Sequence, residues 1–112
     1  MSLWDDALNE LDQVLFFEEK PESHSNVAEG IFKNIRRIDY AIRRTKKHKF
    51  AIPDVLENIL RVGIYLAVID RDYAQELAVN TAVEKAKEFG FRKQAGFVNA
   101  VLRRITREWE TL

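Results

Sequence analysis

Eight basic side chains crowd into positions 33–49: Lys33, Arg36, Arg37, Arg43, Arg44, Lys46, Lys47 and Lys49, against one acid, Asp39. On a helix turning about 100° per residue, with Ile31 as origin, Lys33, Arg36, Arg37, Arg43, Arg44 and Lys47 fall between about 120° and about 240°. Tyr40 falls among them, at about 180°. This pattern suits RNA: the cations neutralise phosphates, an exposed ring stacks on an unpaired base, and guanidinium planes stack as well. The face is nearly of one sign and shows no i,i+4 acid–base pairs, whereas a purely solvated face is usually mixed. Two other readings stay open: a solvated helix face, or docking against an acidic helix of the same chain or of a second copy.

Other chemistries find no residues to rest on. His24 and His48 stand in different loops without ligand spacing, so no metal site is expected. Asp70 and Asp72 flank Arg71 in a pattern that reads as a turn and a helix cap rather than a cation site. There is no Gly-rich phosphate loop, no nucleophile elbow and no Cys–His pair. Asn80 and Asn99 read as buried amides bonded to backbone or to another helix end. No enzyme and no cofactor is expected.

The net charge of zero is a cancellation. Residues 1–32 carry −7, residues 33–49 carry +7, and residues 50–112 hold nine charges of each sign. Zero charge therefore does not exclude nucleic acid, although the acidic first segment competes for the same bases. With 112 residues, 46% of them hydrophobic, the chain reads as one domain, 1–112, and is too apolar to be disordered. It has no cysteine, which excludes a disulfide-stapled module and a Cys-ligated zinc domain. The apolar run Ile64–Ile69 is too short to span a bilayer, and the acidic start, Met1 to Asn9, lacks a signal pattern. A reducing, cytoplasmic setting is expected.

The elements that must carry these residues are helices. Four Gly and two Pro leave few breaks, and no strand alternation is sustained. The spacing of Trp4, Leu8, Leu11 and Leu15 predicts a helix from Leu3 to Glu18, capped by Ser2 and ended by Pro21. Asn26, with Glu29 completing a capping box, opens a helix to Lys47 whose buried stripe is Val27, Ile31, Ile35, Ile38 and Ile42. Pro53 starts a third helix, to Ile69, apolar on nearly every side and so the bundle's centre; Gly63 implies close approach of a neighbour. Asp72 and Gln75 cap a fourth, to Phe89, closed by Gly90 with Phe91 folding back. The fifth runs from Gln94 to Glu110, with Val98, Val101, Leu102, Ile105 and Trp109 as its stripe.

Three segments of the second half, "ENILRVGIYLAVI" (Glu57–Ile69), "LAVNTAVEKAKEFG" (Leu77–Gly90) and "AGFVNAVLRRI" (Ala95–Ile105), resemble consecutive helices of the NusB family. There an "LRxxxYE" helix precedes "AINEAxELAKxFG" and "FVNGVL". Gly30-Ile31, Asn34 and Ile38-Asp39 fit the family's "GV..N...LD" pattern, so the resemblance spans about Val27 to Ile105. It implies an all-α, NusB-like bundle of about five helices that lacks the family's first helix, the one carrying an Arg-rich RNA-binding stretch. Leu66 follows Tyr65 where the family usually has an acid.

The implied function is RNA binding in transcription antitermination, with boxA-like or ribosomal RNA and ribosomal protein NusE as partners. Two alternatives follow. One is the non-catalytic N-terminal RNA-positioning domain of an rRNA cytosine-C5 methyltransferase, which the Arg103-Arg104 pair resembles. The other is a protein-interaction domain that has lost RNA binding. With the first helix missing, the stripe Lys33, Arg36, Arg37, Tyr40, Arg43, Arg44 and Lys47 is expected to carry RNA, helped by Arg92, Lys93, Arg103 and Arg104. Apolar surface left uncovered is expected to drive homodimerisation.

Overall fold

The computed structural model describes residues 3–17, 26–45, 51–71 and 73–112, with the side chains of 14–17 excepted. Expectations resting on Ser2, Pro21, His24, Lys47, His48 and Asp72 lie outside the described residues. The described chain is all-α. Its helices are α1 (Leu3–Phe17), α2 (Asn26–Lys33), α3 (Ile35–Thr45), α4 (Asp54–Ile64), α5 (Gln75–Glu88) and α6 (Ala95–Glu108). A π-helical turn, Tyr65–Asp70, extends α4, and 3-10 turns at Arg92–Gln94 and Trp109–Thr111 flank α6.

Six α-helices stand among the described residues where five were expected, because the second is interrupted at Asn34. Its side-chain Nδ2 donates to the Gly30 carbonyl at 2.8 Å, and its backbone N–H is shared between Gly30 and Ile31 carbonyls at 3.2 and 3.1 Å. A short amide side chain that bonds the preceding turn competes with the helical ladder. The apolar stripe survives the break: Val27, Ile31, Ile38 and Ile42 are buried and Ile35 packs against the same core.

α4 is the centre, as its all-round apolarity predicts. Leu56, Ile59, Leu60, Val62 and Ile64 are fully buried, and α1, α2, α3, α5 and α6 all pack on it. Pro53 is the N-cap rather than the first helical residue; its carbonyl accepts the Glu57 N–H at 2.9 Å. A Cβ on Gly63 would lie 3.0 Å from Leu102 and 3.4 Å from Ala82, so the close approach is real and involves both α5 and α6. A segment apolar on every side has no phase to read, which is why the switch to a π turn at Tyr65 leaves no trace in the spacing.

α5 opens at Gln75 after Ala74, with no side-chain cap. It closes as expected: Gly90 has φ 90°, its N–H bonds the Lys87 carbonyl at 3.1 Å, and the Phe91 N–H bonds Ala86 at 2.8 Å. This is the paired bonding of a Schellman cap, with Phe91 returned to the core. On α6, Val98, Val101, Leu102 and Ile105 are buried, as is Trp109 just beyond it.

Candidate nucleic-acid interface

The outer face of α3 follows from its inner one. Burying Ile38, Ala41 and Ile42 turns Arg36, Arg37, Tyr40, Arg43 and Arg44 to solvent. Tyr40 is 44% exposed, enough for its ring to meet a ligand. Arg36, Arg43 and Arg44 are exposed and make no hydrogen bond or ion pair among the described residues. Lys33, at the end of α2, is an exception: it pairs with Glu29 at 3.2 Å, an i,i+4 contact that the one-sign reading of the face overlooks.

The single acid of α3 is withdrawn from this face. Asp39 accepts Arg61 Nε and Nη2 at 2.8 and 2.9 Å. Arg61, its side chain only 10% exposed, also donates to Asn58 at 2.7 Å and to Glu57 at 2.6 Å. This network joins α3 to α4. Sequence reasoning missed it because an Asp within a basic run looks like a surface charge. Its one signal is that Arg61 stands between Leu60 and Val62, within the most apolar stretch of α4.

The expected secondary contacts separate. α3 and α6 run antiparallel: Arg37 stacks over the Trp109 ring, 4.1 Å from its centroid, while Arg104 donates to the Thr45 carbonyl at 3.5 Å. Arg104, paired with Glu108 at 2.7 Å, therefore borders the C-terminal end of the stripe. Arg103 points elsewhere: its Nη1 and Nη2 bind Glu76 of α5 at 3.0 and 2.9 Å, and its Nε binds Asn99 at 2.9 Å. Hydrogen bonds from Arg103, then its charge, hold the Glu76 carboxyl below its ordinary range and raise Arg103 in turn. Arg92 and Lys93 are exposed on the turn before α6, about 17 Å along the helix axis from Arg104. Asn99 is half-buried and Asn80 exposed, so neither is the buried amide expected.

The described residues of the acidic helix pack on helices other than α3. α1 packs on α4 and α2, Asp5 binds Lys85 of α5 at 3.0 Å, and no ion pair among the described residues joins α1 to α3. Lys85 is raised above its usual range, chiefly by that hydrogen bond. Instead α1 forms one wall of an open groove of about 360 Å³. Leu8, Val55 and Phe89 supply its apolar lining, with Asp5, Asn9, Asp12 and Asn58 around them. Among the described residues, no group of three metal-ligating side chains is found, and no helix is long and apolar enough to cross a membrane.

A model of the NusB family matches residues 2–107, a span that includes α1. Proteins named transcription antitermination protein NusB are similar to this chain. That of Fervidobacterium nodosum is 35% identical over 71% of this chain and 58% of its own length. Those of Geobacter sp. (strain M21) and Heliobacterium modesticaldum are 33% and 36% identical over 72% and 73% of this chain, and 57% and 41% of their own lengths. The chain thus spans about half the length of the curated relatives it matches. No solved structure matches it significantly.

Proposed function

Because the chain belongs to the NusB family, we propose that it acts as an RNA-binding factor in transcription antitermination. The observation that carries this reading is the outer face of α3, where Arg36, Arg43 and Arg44, without partners among the described residues, surround the exposed ring of Tyr40. Arg37 and Arg104 border it, Arg92 and Lys93 are assigned outlying contacts, and Lys47 keeps the place in the stripe that its spacing assigns. Arg103, committed to Glu76, is assigned the weakest part. A boxA-like or ribosomal single strand is the ligand that this mixture of cations and one ring favours, since stacking needs unpaired bases.

The protein is read as one non-enzymatic domain working in the cytoplasm, where its RNA is made. Ribosomal protein NusE, the partner that the family resemblance brings, is assigned to the groove beside Phe89; self-association through that groove is the competing outcome. The antitermination names of the relatives favour this reading over a methyltransferase's RNA-positioning domain or an interaction domain without RNA.

The test replaces Arg36, Arg43 and Arg44 with Glu, leaving Arg37 and Arg104 in place because both hold structure. Single-stranded RNA is titrated over a range of salt. Each phosphate that the protein ceases to neutralise lowers the slope of log affinity against log salt by about 0.7, so the triple variant is expected to give up most of its slope. Binding as tight as that of the unaltered protein would overturn the proposal.

A further inference from the structure

Arg71, which follows the π-helical turn, has φ 62° and is the one non-glycine residue with positive φ among those described. A left-handed conformation costs an L-residue roughly 1 kcal/mol, and glycine adopts it freely. The turn alone does not call for an arginine. The side chain is nonetheless placed: Nε donates to the Val68 carbonyl at 3.2 Å and Nη2 reaches Glu110 Oε1 at 3.2 Å. Arg71 and Glu110 are both mostly exposed, so this pair adds little to stability. A carboxylate rests where Arg71 presents its guanidinium, and other anions can compete for that position.

A recess of about 340 Å³ opens beside this pair, between the turn and the end of α6, a volume at the small end for ligand pockets. Arg71, Tyr73, Gln75, Thr106, Arg107 and Trp109 line it. Arg107 makes no hydrogen bond or ion pair among the described residues. Two arginines, two aromatic side chains and an amide line one concave space. Trp109 connects it to the stripe, because the same ring carries the Arg37 guanidinium.

We propose that this recess receives one nucleotide of a single-stranded RNA, its phosphate held by Arg71 and Arg107 and its base set against Tyr73. The strand continues past Arg37 onto the outer face of α3. Guanidinium forks match phosphate oxygens, and the phosphate displaces Glu110 from Arg71. The inference rests on the RNA reading above and extends it to a second binding point.

Three variants test it with a long single-stranded oligoribonucleotide of about 16 nucleotides. Arg71→Gly with Arg107→Ala removes both cations while giving φ 62° to the residue best suited to it, so thermal unfolding should be preserved. Its affinity is expected to fall severalfold and its salt slope by about 0.7, the effect of one phosphate. Glu110→Gln removes the competing carboxylate and is expected to bind more tightly, a gain that misfolding cannot imitate. Arg43→Glu with Arg44→Glu reports on the stripe. If that variant loses binding while the other two match the unaltered protein, the recess is overturned and the RNA reading stands. If the unaltered protein binds no RNA, both fall.

Discussion

Arg37 of α3 holds its guanidinium over the ring of Trp109, 4.1 Å from the centroid, and donates from Nη2 to that residue's carbonyl at 3.3 Å. One side chain thereby fastens the C-terminal turn to α3. It also identifies which basic residue of the stripe is structural. Arg37→Ala is expected to destabilise the fold by about 1 kcal/mol, the scale of a cation–π contact. Arg37→Lys should recover only part, since an ammonium lacks the planar face. Denaturant unfolding measures both; an alanine variant as stable as the original would count against the contact.

The Arg61 network makes a larger demand. Arg61 is nearly buried and compensates Asp39 and Glu57 together. Removing it leaves two carboxylates facing each other across α3 and α4. Arg61→Ala is expected to cost about 3 kcal/mol, the lower end for breaking a buried pair. Arg61→Lys should restore little, because an ammonium cannot reproduce the two parallel bonds to Asp39. Urea titration of the variants decides it, and a loss of only a few tenths would show the network to be dispensable.

The Glu76–Arg103 pair gives a pH signature with a definite sign. The folded Glu76 carboxyl lies below its unfolded value. Its contribution is therefore present above about pH 4.3, the ordinary glutamate value, and is lost as pH falls through the folded value. Lys85 has the opposite sense. Asp5 raises it, so its contribution is present below about pH 10.4 and lost as pH rises through the folded value. Carboxyl NMR titration of Arg103→Gln should show Glu76 returning upward to the ordinary range. An unmoved midpoint would assign the shift to something other than Arg103.

Much of the fold is legible in residue spacing. The stripes of α2, α3 and α6, the burial of α4, the tight fit at Gly63 and the Gly90 cap follow from periodicity and turn chemistry, which act over a few residues. The break at Asn34 is harder to read, because an amide side chain can equally face solvent or bond the preceding turn. The outward set of basic residues is legible for the same reason as the stripes, since burying one face exposes the opposite one. Which bases are free is not. Arg103 and Arg104 are neighbours in sequence, yet a step of about 100° around α6 sends one to α5 and the other to α3.

By itself, then, the sequence determined an all-α chain, a buried stripe along α2 and α3, and a cationic face behind it. Tertiary packing alone decided the partners. It took Asp39 inward to Arg61, set Arg37 on Trp109, and sent Asp5 to Lys85 rather than to the stripe. It also left beside Gly30 a space that the Tyr65 ring fills so closely that a Cβ there would collide with it. The physical reason is range. Helical phase is a local property of neighbouring residues, whereas ion pairs and ring contacts join residues distant along the chain, and their geometry exists only once the helices have packed.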